Sequence, residues 1–178
     1  MGFIQGFPAD HALSLIQGEN LYTAGCIYAP GKVKGTGKNL LLKLEETARQ
    51  KGARGLALIA FSDSTHMPVE FFKKLGYSVV KRHGNAHIVV KSFDMNPIEV
   101  DFVEPTLPAM EENTLHVFYS PLCFGSIKNA LRVRDAAAEK NIPCILHDAA
   151  AEGNHVTEGI YYGSRRLRGD VDTCLSDL

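Results

Sequence analysis

"CIYAPGKVKGTGKNLL", residues 26–41, decides how the first half of the chain is read. An apolar run stops at Pro30, three lysines and three glycines crowd residues 31–38, and leucines at helical spacing follow at once. The order implied is strand, glycine-lysine turn, helix. Gly35 and Gly37 lack a Cβ, so an anion can approach the backbone closely and unusual φ values are open there. The first turn of a helix exposes unpaired N–H groups and the positive end of the macrodipole. Lys32, Lys34 and Lys38 add side-chain charge around it. Such a turn is a cradle for a pyrophosphate. The competing reading is a tight strand-to-helix turn with solvated lysines.

Two familiar phosphate loops are excluded. A Walker A loop needs glycine at position 32 and Ser or Thr at 39, which are Lys32 and Asn39. A dinucleotide fingerprint needs a third glycine at position 40, which is Leu40.

Working outward, "LYTAGCIYA" reads as the strand before the turn and "TGKNLLLKLEETARQKG" as the helix after it. Leu40, Leu41, Leu44 and Ala48 share one face of that helix, and Gly52 stops it. "GLALIAF" is a short buried strand, and "MPVEFFKKLG" a shorter helix with Phe71, Phe72 and Leu75 inward and Gly76 at its end. "YSVVKR" and "AHIVVKSF", joined across "HGN", read as a hairpin. Residues 92–113 then hold three prolines and six carboxylates without a sustained period, which predicts a connector that crawls over a domain surface. Beyond it, "TLHVFYS", "GSIKNALRVRDAAAEK" and "IPCILHDA" read as strand, helix and strand, the two strands parallel by the crossover rule. Ile127, Ala130, Leu131 and Val133 form the expected inner face of that helix. "EGIYYGSRRLRG" reads as a hairpin turning at Gly163-Ser164, with its arginines guarding an edge strand, and "DVDTCLSDL" as the start of a further helix.

Composition bounds what such a chain does. Its 178 residues are 45% hydrophobic and 22% charged, a globular balance, and a net charge of −1 supplies no field to draw nucleic acid or anionic lipid. No apolar run approaches the roughly 18–20 residues of a membrane span. The first residues, "MGFIQGFPADHA", carry no secretory signal pattern, and Gly6 stands where a myristoylation signal wants Ser or Thr. Cys26, Cys123, Cys144 and Cys174 are scattered, and the histidines show no HxH spacing, so neither a disulfide framework nor a metal site is expected. The expectation is a cytoplasmic protein with no nucleic-acid or membrane partner.

"KVKGTG" within the opening stretch resembles motif A of the GNAT acetyltransferases, whose pattern is Gln or Arg, two residues, Gly, one residue, then Gly or Ala. "EFFKKLGY" resembles their motif B, and "GLALIAF" lies where the strand between them belongs. The resemblance covers residues 15–92. It implies an α/β fold with a mixed sheet and acetyl-CoA as co-substrate, held in a V-shaped opening between the strand ending at Tyr28 and the strand 55–61. Backbone groups of Ile27 and Tyr28 would hold the pantetheine and thioester carbonyl. Lys32, Val33, Lys34, Gly35, Thr36, Gly37 and Lys38 would wrap the pyrophosphate, with Lys32 replacing the family's Gln or Arg.

Two departures from the family bear on catalysis. Motif B often carries a tyrosine that protonates the leaving thiolate, at the position of Phe72 here, with His66, Ser64 or Tyr77 as substitutes that the sequence does not choose between. No catalytic residue is therefore assigned. The family's first strand and two helices, which build much of the acceptor pocket, have no counterpart in this sequence, so the expectation is a fragment of a longer chain, a pocket completed by an oligomer or partner, or a degenerate fold.

The whole layout resembles the YoaP-like group, in which a thioredoxin-like domain follows the acetyltransferase. The expected domains are 1–92, GNAT-like; 93–113, linker; and 114–178, thioredoxin-like with a βαβ-ββα order. "SPLCFGSIK" places Cys123 between a strand and a helix with Ser126 three residues on, a CxxS arrangement, so Cys123 is the candidate reactive thiol. A plain structural cysteine is the alternative, because "GNHVTEGIYYG" lacks the proline such redox folds place before their third strand. The expected function is acetyl transfer to a small-molecule or peptide amine. The alternatives are a non-catalytic acyl-CoA-binding or sensing module, and a thiol carrier acting through Cys123.

Overall fold

The computed structural model describes residues 2–11, 14–29, 33–94, 96–104, 107–151 and 158–167. The chain divides into two compact units, Met1–Glu104 and Pro105–Leu178. The α/β class with mixed sheets expected from the sequence is present in both.

In the first unit the elements run β1 (Phe3–Pro8), β2 (Ile16–Gln17), β3 (Leu21–Tyr28), α1 (Thr36–Gln50), β4 (Gly55–Phe61), α2 (Val69–Lys73), β5 (Ser78–His83), β6 (Ala86–Ser92) and β7 (Asp101–Phe102). Five strands form one sheet in the order β1-β3-β4-β6-β5. Every pairing is antiparallel except β3 with β4, the pair joined through α1. The two helices pack on one face, where Leu41 and Leu44 of α1 and Val69 and Phe72 of α2 meet Leu56, Leu58, Ala60 and Val89 of the sheet. The other face carries Ala57, Ile88 and Val90, covered by Ile16 and by Ile98, Val100 and Phe102. β2 and β7 pair there as a small second sheet, Ile16 opposite Phe102.

Sequence reasoning missed β1, β2 and β7. Residues 96–104 pack with the first unit, although they were read as part of a connector: Ile98, Val100 and Phe102 alternate inward while Glu99 and Asp101 face out. The helix after the glycine-lysine turn also differs at two positions, since Leu40, expected inward, is only half-buried and Glu45 is buried. Its buried residues are Leu41, Leu44, Glu45 and Ala48, so a carboxylate joins the inner face. Glu45 is held there by Lys91 Nζ at 2.9 and 3.1 Å and by the Tyr77 hydroxyl, which donates to it at 2.9 Å. A charge that deep needs such partners. Both helices end where expected, with Gly52 and Gly76 at φ 78° and 86° closing them.

The second unit contains β8 (Leu115–Tyr119), α3 (Phe124–Glu139), β9 (Cys144–Asp148), β10 (Gly159–Tyr162) and β11 (Arg165–Leu167). Its sheet has the order β11-β10-β8-β9, with β8 and β9 parallel and the other pairs antiparallel. The expected parallel crossover and the turn at Gly163 are both found, and β11 with its exposed arginines is an edge strand. Ala130, Val133 and Ala137 of α3 pack on Leu115 and Val117. Leu131, expected inward, is 39% exposed. The small side chains at 130 and 137 allow close approach along the i, i+3, i+7 line, and position 131 lies about 100° around the helix from position 130. The predicted helix at "DVDTCLSDL", together with Cys174, lies outside the described residues.

Candidate functional site

The parallel ladder between β3 and β4 is two residue pairs long. Leu21 pairs with Gly55 and Tyr22 with Leu56, after which residues 23–28 and 57–61 run on without pairing to one another. β4 stays laddered to β6 over its whole length, and β3 stays paired to β1. The sheet therefore opens between its two parallel strands at their carboxyl ends. Ligands of open α/β sheets bind in crevices at that end, where successive connections leave in different directions.

On the β3 side the opening ends at Ile27, half-buried, and Tyr28, 54% exposed and tilted against Phe3 of β1 with ring centroids 5.8 Å apart. A β-bulge lies just upstream. Gln5 pairs with Cys26 and Gly6 with Ala24, which leaves Gly25 as the extra residue of β3. A Cβ on Gly25 would stand 2.7 Å from the Phe7 ring. Bulges bend a strand and re-aim its polar groups, and here the bend falls at the start of the gap.

The connection from β3 delivers the chain to the amino end of α1. Gly35 is the N-cap, in the left-handed region at φ 87°, with nothing within 4 Å of where a Cβ would stand. Its conformation, not space, selects glycine. Gly37 is inside the first turn, and a Cβ there would meet Ala29 and Phe71 at the ordinary contact distances of 3.7 and 3.8 Å. No side chain caps α1 and its first turn holds no acidic residue. The Thr36 hydroxyl donates back to the Val33 carbonyl at 2.9 Å, and the Asn39 amide donates to the Gly35 carbonyl at 2.9 Å. Among the described residues the Gly37 and Lys38 amides have no acceptor. Val33, Lys34, Gly35 and Lys38 are exposed around them. Lys32 lies outside the described residues.

Three residues, His66, Ser64 and Tyr77, stand as substitutes for the proton donor that Phe72 cannot be. Phe72 is fully buried, edge-on to Phe71 and Tyr77, and is part of the core. Tyr77 is also buried, and its hydroxyl is committed to Glu45. Burial first, and then the neighbouring carboxylate, push its phenol far above the ordinary range. Ser64 and His66 sit in the loop leaving the carboxyl end of β4, where the Ser64 hydroxyl accepts from the His66 amide at 2.9 Å. Of the three candidates, only these two stand at the end of the sheet where the gap opens.

Among solved structures the chain is similar to the PaiA N-acetyltransferase of Thermoplasma acidophilum in complex with coenzyme A, at 25% identity and a TM-score of 0.38 over 42% of this chain and 47% of that one. It is similar to a Desulfovibrio desulfuricans protein described as an acetyltransferase of the GNAT family, at 20% identity and a TM-score of 0.42 over 51% and 60%. It is also similar to an acetyltransferase from Bacillus cereus, at 29% identity and a TM-score of 0.35 over 42% and 56%. The chain thus spans less than two-thirds of the length of each. No family model and no curated protein matches the chain.

In the second unit Cys123 is the N-cap of α3, half-buried, with the exposed Phe124 beside it. The Ser126 hydroxyl accepts from the Ser120 amide at 3.0 Å. Cys144 lies in β9, where burial raises its thiol pKa. Among the described residues no group of three metal-ligating side chains comes together, and no helix is long and apolar enough to cross a membrane.

Proposed function

We propose that the first unit binds an acyl-CoA thioester and that the chain is an N-acetyltransferase of GNAT type, with acetyl-CoA as co-substrate. The observation that carries this is the two-pair ladder between β3 and β4, beside Gly37 and Lys38 amides at the amino end of α1 that have no acceptor among the described residues. A gap of this kind takes a narrow chain such as pantetheine through backbone hydrogen bonds on either side. The residues proposed to hold it are Ile27 and Tyr28 on the β3 wall. The pyrophosphate falls to Val33, Lys34, Gly35, Thr36, Gly37 and Lys38, and to Lys32 by the resemblance alone.

The reaction is attack of an amine nitrogen on the thioester carbonyl. A C–N bond forms, the C–S bond breaks, the amine nitrogen gives up one proton and the leaving thiolate takes one up. A backbone N–H near Tyr28 is the simplest donor to the tetrahedral oxyanion. The acceptor is a small-molecule or peptide amine, and an oligomer or partner completes its pocket. Calorimetry with CoA and acetyl-CoA tests the binding, and product formation on an amine panel tests the transfer. Absence of CoA binding by the folded chain refutes the reading.

A second reading is an acyl-CoA-binding or sensing module without turnover. The burial of Phe72 and the commitment of Tyr77 to Glu45 favour it, since neither can serve the leaving thiolate. For the second unit we propose a YoaP-type thioredoxin-like domain. The sheet order β11-β10-β8-β9, with a parallel βαβ followed by an antiparallel hairpin, supports this. Cys123 at the amino end of α3 is its candidate thiol, and a carrier acting through it is the third reading.

A further inference from the structure

β1 is one edge of the first sheet, and among the described residues only β3 pairs with it. Its sequence, "FIQGFP", carries no charge, and Phe3, Gly6 and Pro8 are exposed along it. The opposite edge, β5, is built differently. Lys81, Arg82 and His83 line it, and a bulge at Val80 interrupts it. Charges and bulges are how native sheets keep an edge from pairing with another chain. β1 has no charge, and the bulge in its ladder lies in β3. Such an edge is a template for a further strand.

The groups it offers follow from alternation. The Ala9 amide donates to the Leu21 carbonyl at 2.8 Å, so the backbone of Ala9, and with it that of Phe7, Gln5 and Phe3, turns toward β3. Ile4, Gly6 and Pro8 turn theirs outward. Pro8 has no N–H and ends the usable edge. The N–H and C=O of Ile4 and of Gly6 remain free. Side chains divide the same way. Ile4 packs into the core beneath the helices, so Phe3, Gln5 and Phe7 leave the other face.

We propose that β1 pairs antiparallel with β1 of a second copy of this chain, about a two-fold axis through Gln5. In that register Ile4 stands opposite Gly6 of the partner subunit, and Gly6 opposite Ile4 of the partner subunit. Every free N–H and C=O of Ile4 and Gly6 then finds a main-chain partner. Phe3, 41% exposed, comes opposite Phe7 of the partner subunit on the same face, at a position where cross-strand side chains approach most closely. Gln5 meets its own copy on the axis, and no charge is brought near its like. A strand whose free groups and side chains complement themselves about one axis fits an isologous dimer. The edge lies on the far side of β3 from the open gap, so the pairing leaves the gap free and does not rest on CoA binding there.

The test is sedimentation equilibrium of the full chain, with amide exchange read residue by residue at low and high protein concentration. A monomer–dimer equilibrium is expected, in which raising the concentration slows exchange at Ile4 and Gly6 and changes Gln5 and Phe7 far less. Gln5→Lys and Gln5→Glu each set like charges across the axis and are expected to weaken the dimer at least about threefold. An equal mixture of the two variant chains is expected to associate at least as tightly as the unaltered protein. A chain that stays monomeric, a dimer whose Ile4 and Gly6 amides keep their monomer exchange rates, or a mixture that associates no better than either variant alone each overturns the proposal. If either variant fails to fold, exchange at Ile4 and Gly6 decides alone.

Discussion

Lys38→Glu separates the anion cradle from the helix that forms it, because the two respond with opposite sign. Lys38 is exposed in the first turn of α1, where no acidic residue stands and no side chain caps the helix. Glutamate there favours the macrodipole and stabilises the helix by about 0.3–1 kcal/mol. For a bound pyrophosphate the same change is a swing of two unit charges against about two negative ones. At a separation of about 6 Å in water, each unit pair is worth about 0.7 kcal/mol, so the swing costs about 2.8 kcal/mol before screening. A Debye length of ~8 Å at 0.15 M salt roughly halves that, leaving about 1.3 kcal/mol, or about tenfold in affinity. At 0.01 M salt, where the length is ~30 Å, the loss grows to about fiftyfold. The assay is calorimetry with CoA at both salt concentrations, alongside a melting curve. Lys128→Glu, exposed in α3 of the second unit, is the control with the same net charge. Lys38→Glu with a melting temperature held or raised and a salt-dependent loss of affinity is the expected result. Unchanged affinity, or an equal loss in the control, refutes the reasoning.

Gly35→Ala is expected to destabilise the fold by about 1–2 kcal/mol in denaturant titration, the cost of a left-handed alanine, whereas Gly37→Ala, with only ordinary contacts to meet, should be neutral or slightly stabilising. Phe72→Tyr places a hydroxyl in a fully buried site and should cost about 1–3 kcal/mol in the same titration without raising any acetylation rate. A phenol whose folded pKa is raised contributes stability that is fully present below its unfolded value of 10.0 and is lost as pH climbs toward the folded one. Ultraviolet titration should therefore find Tyr77 silent above pH 10 until the chain unfolds, and Tyr77→Phe should remove that alkaline sensitivity.

How far the sequence reaches depends on what kind of fact is asked of it. α1, α2 and the β5–β6 hairpin were legible because each carries its own period and its own glycine stop or turn, at Gly52, Gly76 and Gly84. β1 was not. It packs Ile4 against the helix-side core and sets Phe7 beside Gly25 of β3, so no apolar-polar alternation survives in "FIQGFP". β7 could have been found. "IEVDF" alternates strictly, but it is short and sits among prolines that dominate the reading of residues 92–113. At the candidate site, glycine placement and lysine charge were visible, since conformation and charge are properties of single residues. The short ladder between β3 and β4 was not, because it is a property of pairing. Phe72 was legible as core, because it falls on the inward apolar face predicted for its helix, and it is fully buried there.

That short ladder also divides one strand into two populations of amide protons. Along β4 successive N–H groups point alternately to β6 and to β3. Those aimed at β6 sit in an unbroken ladder. On the other side the Phe61 amide is taken by the Met67 carbonyl at 2.9 Å, and alternation puts the Ile59 amide on that same side, beyond the last β3 pair. In deuterated water Ile59 should therefore exchange far faster than Leu58 and Ala60, its immediate neighbours in one continuous strand. Anything that fills the gap and accepts from the Ile59 amide should slow that single proton and leave the neighbouring rates unchanged. The gap thus carries its own reporter, read at one backbone position without knowing what the ligand is.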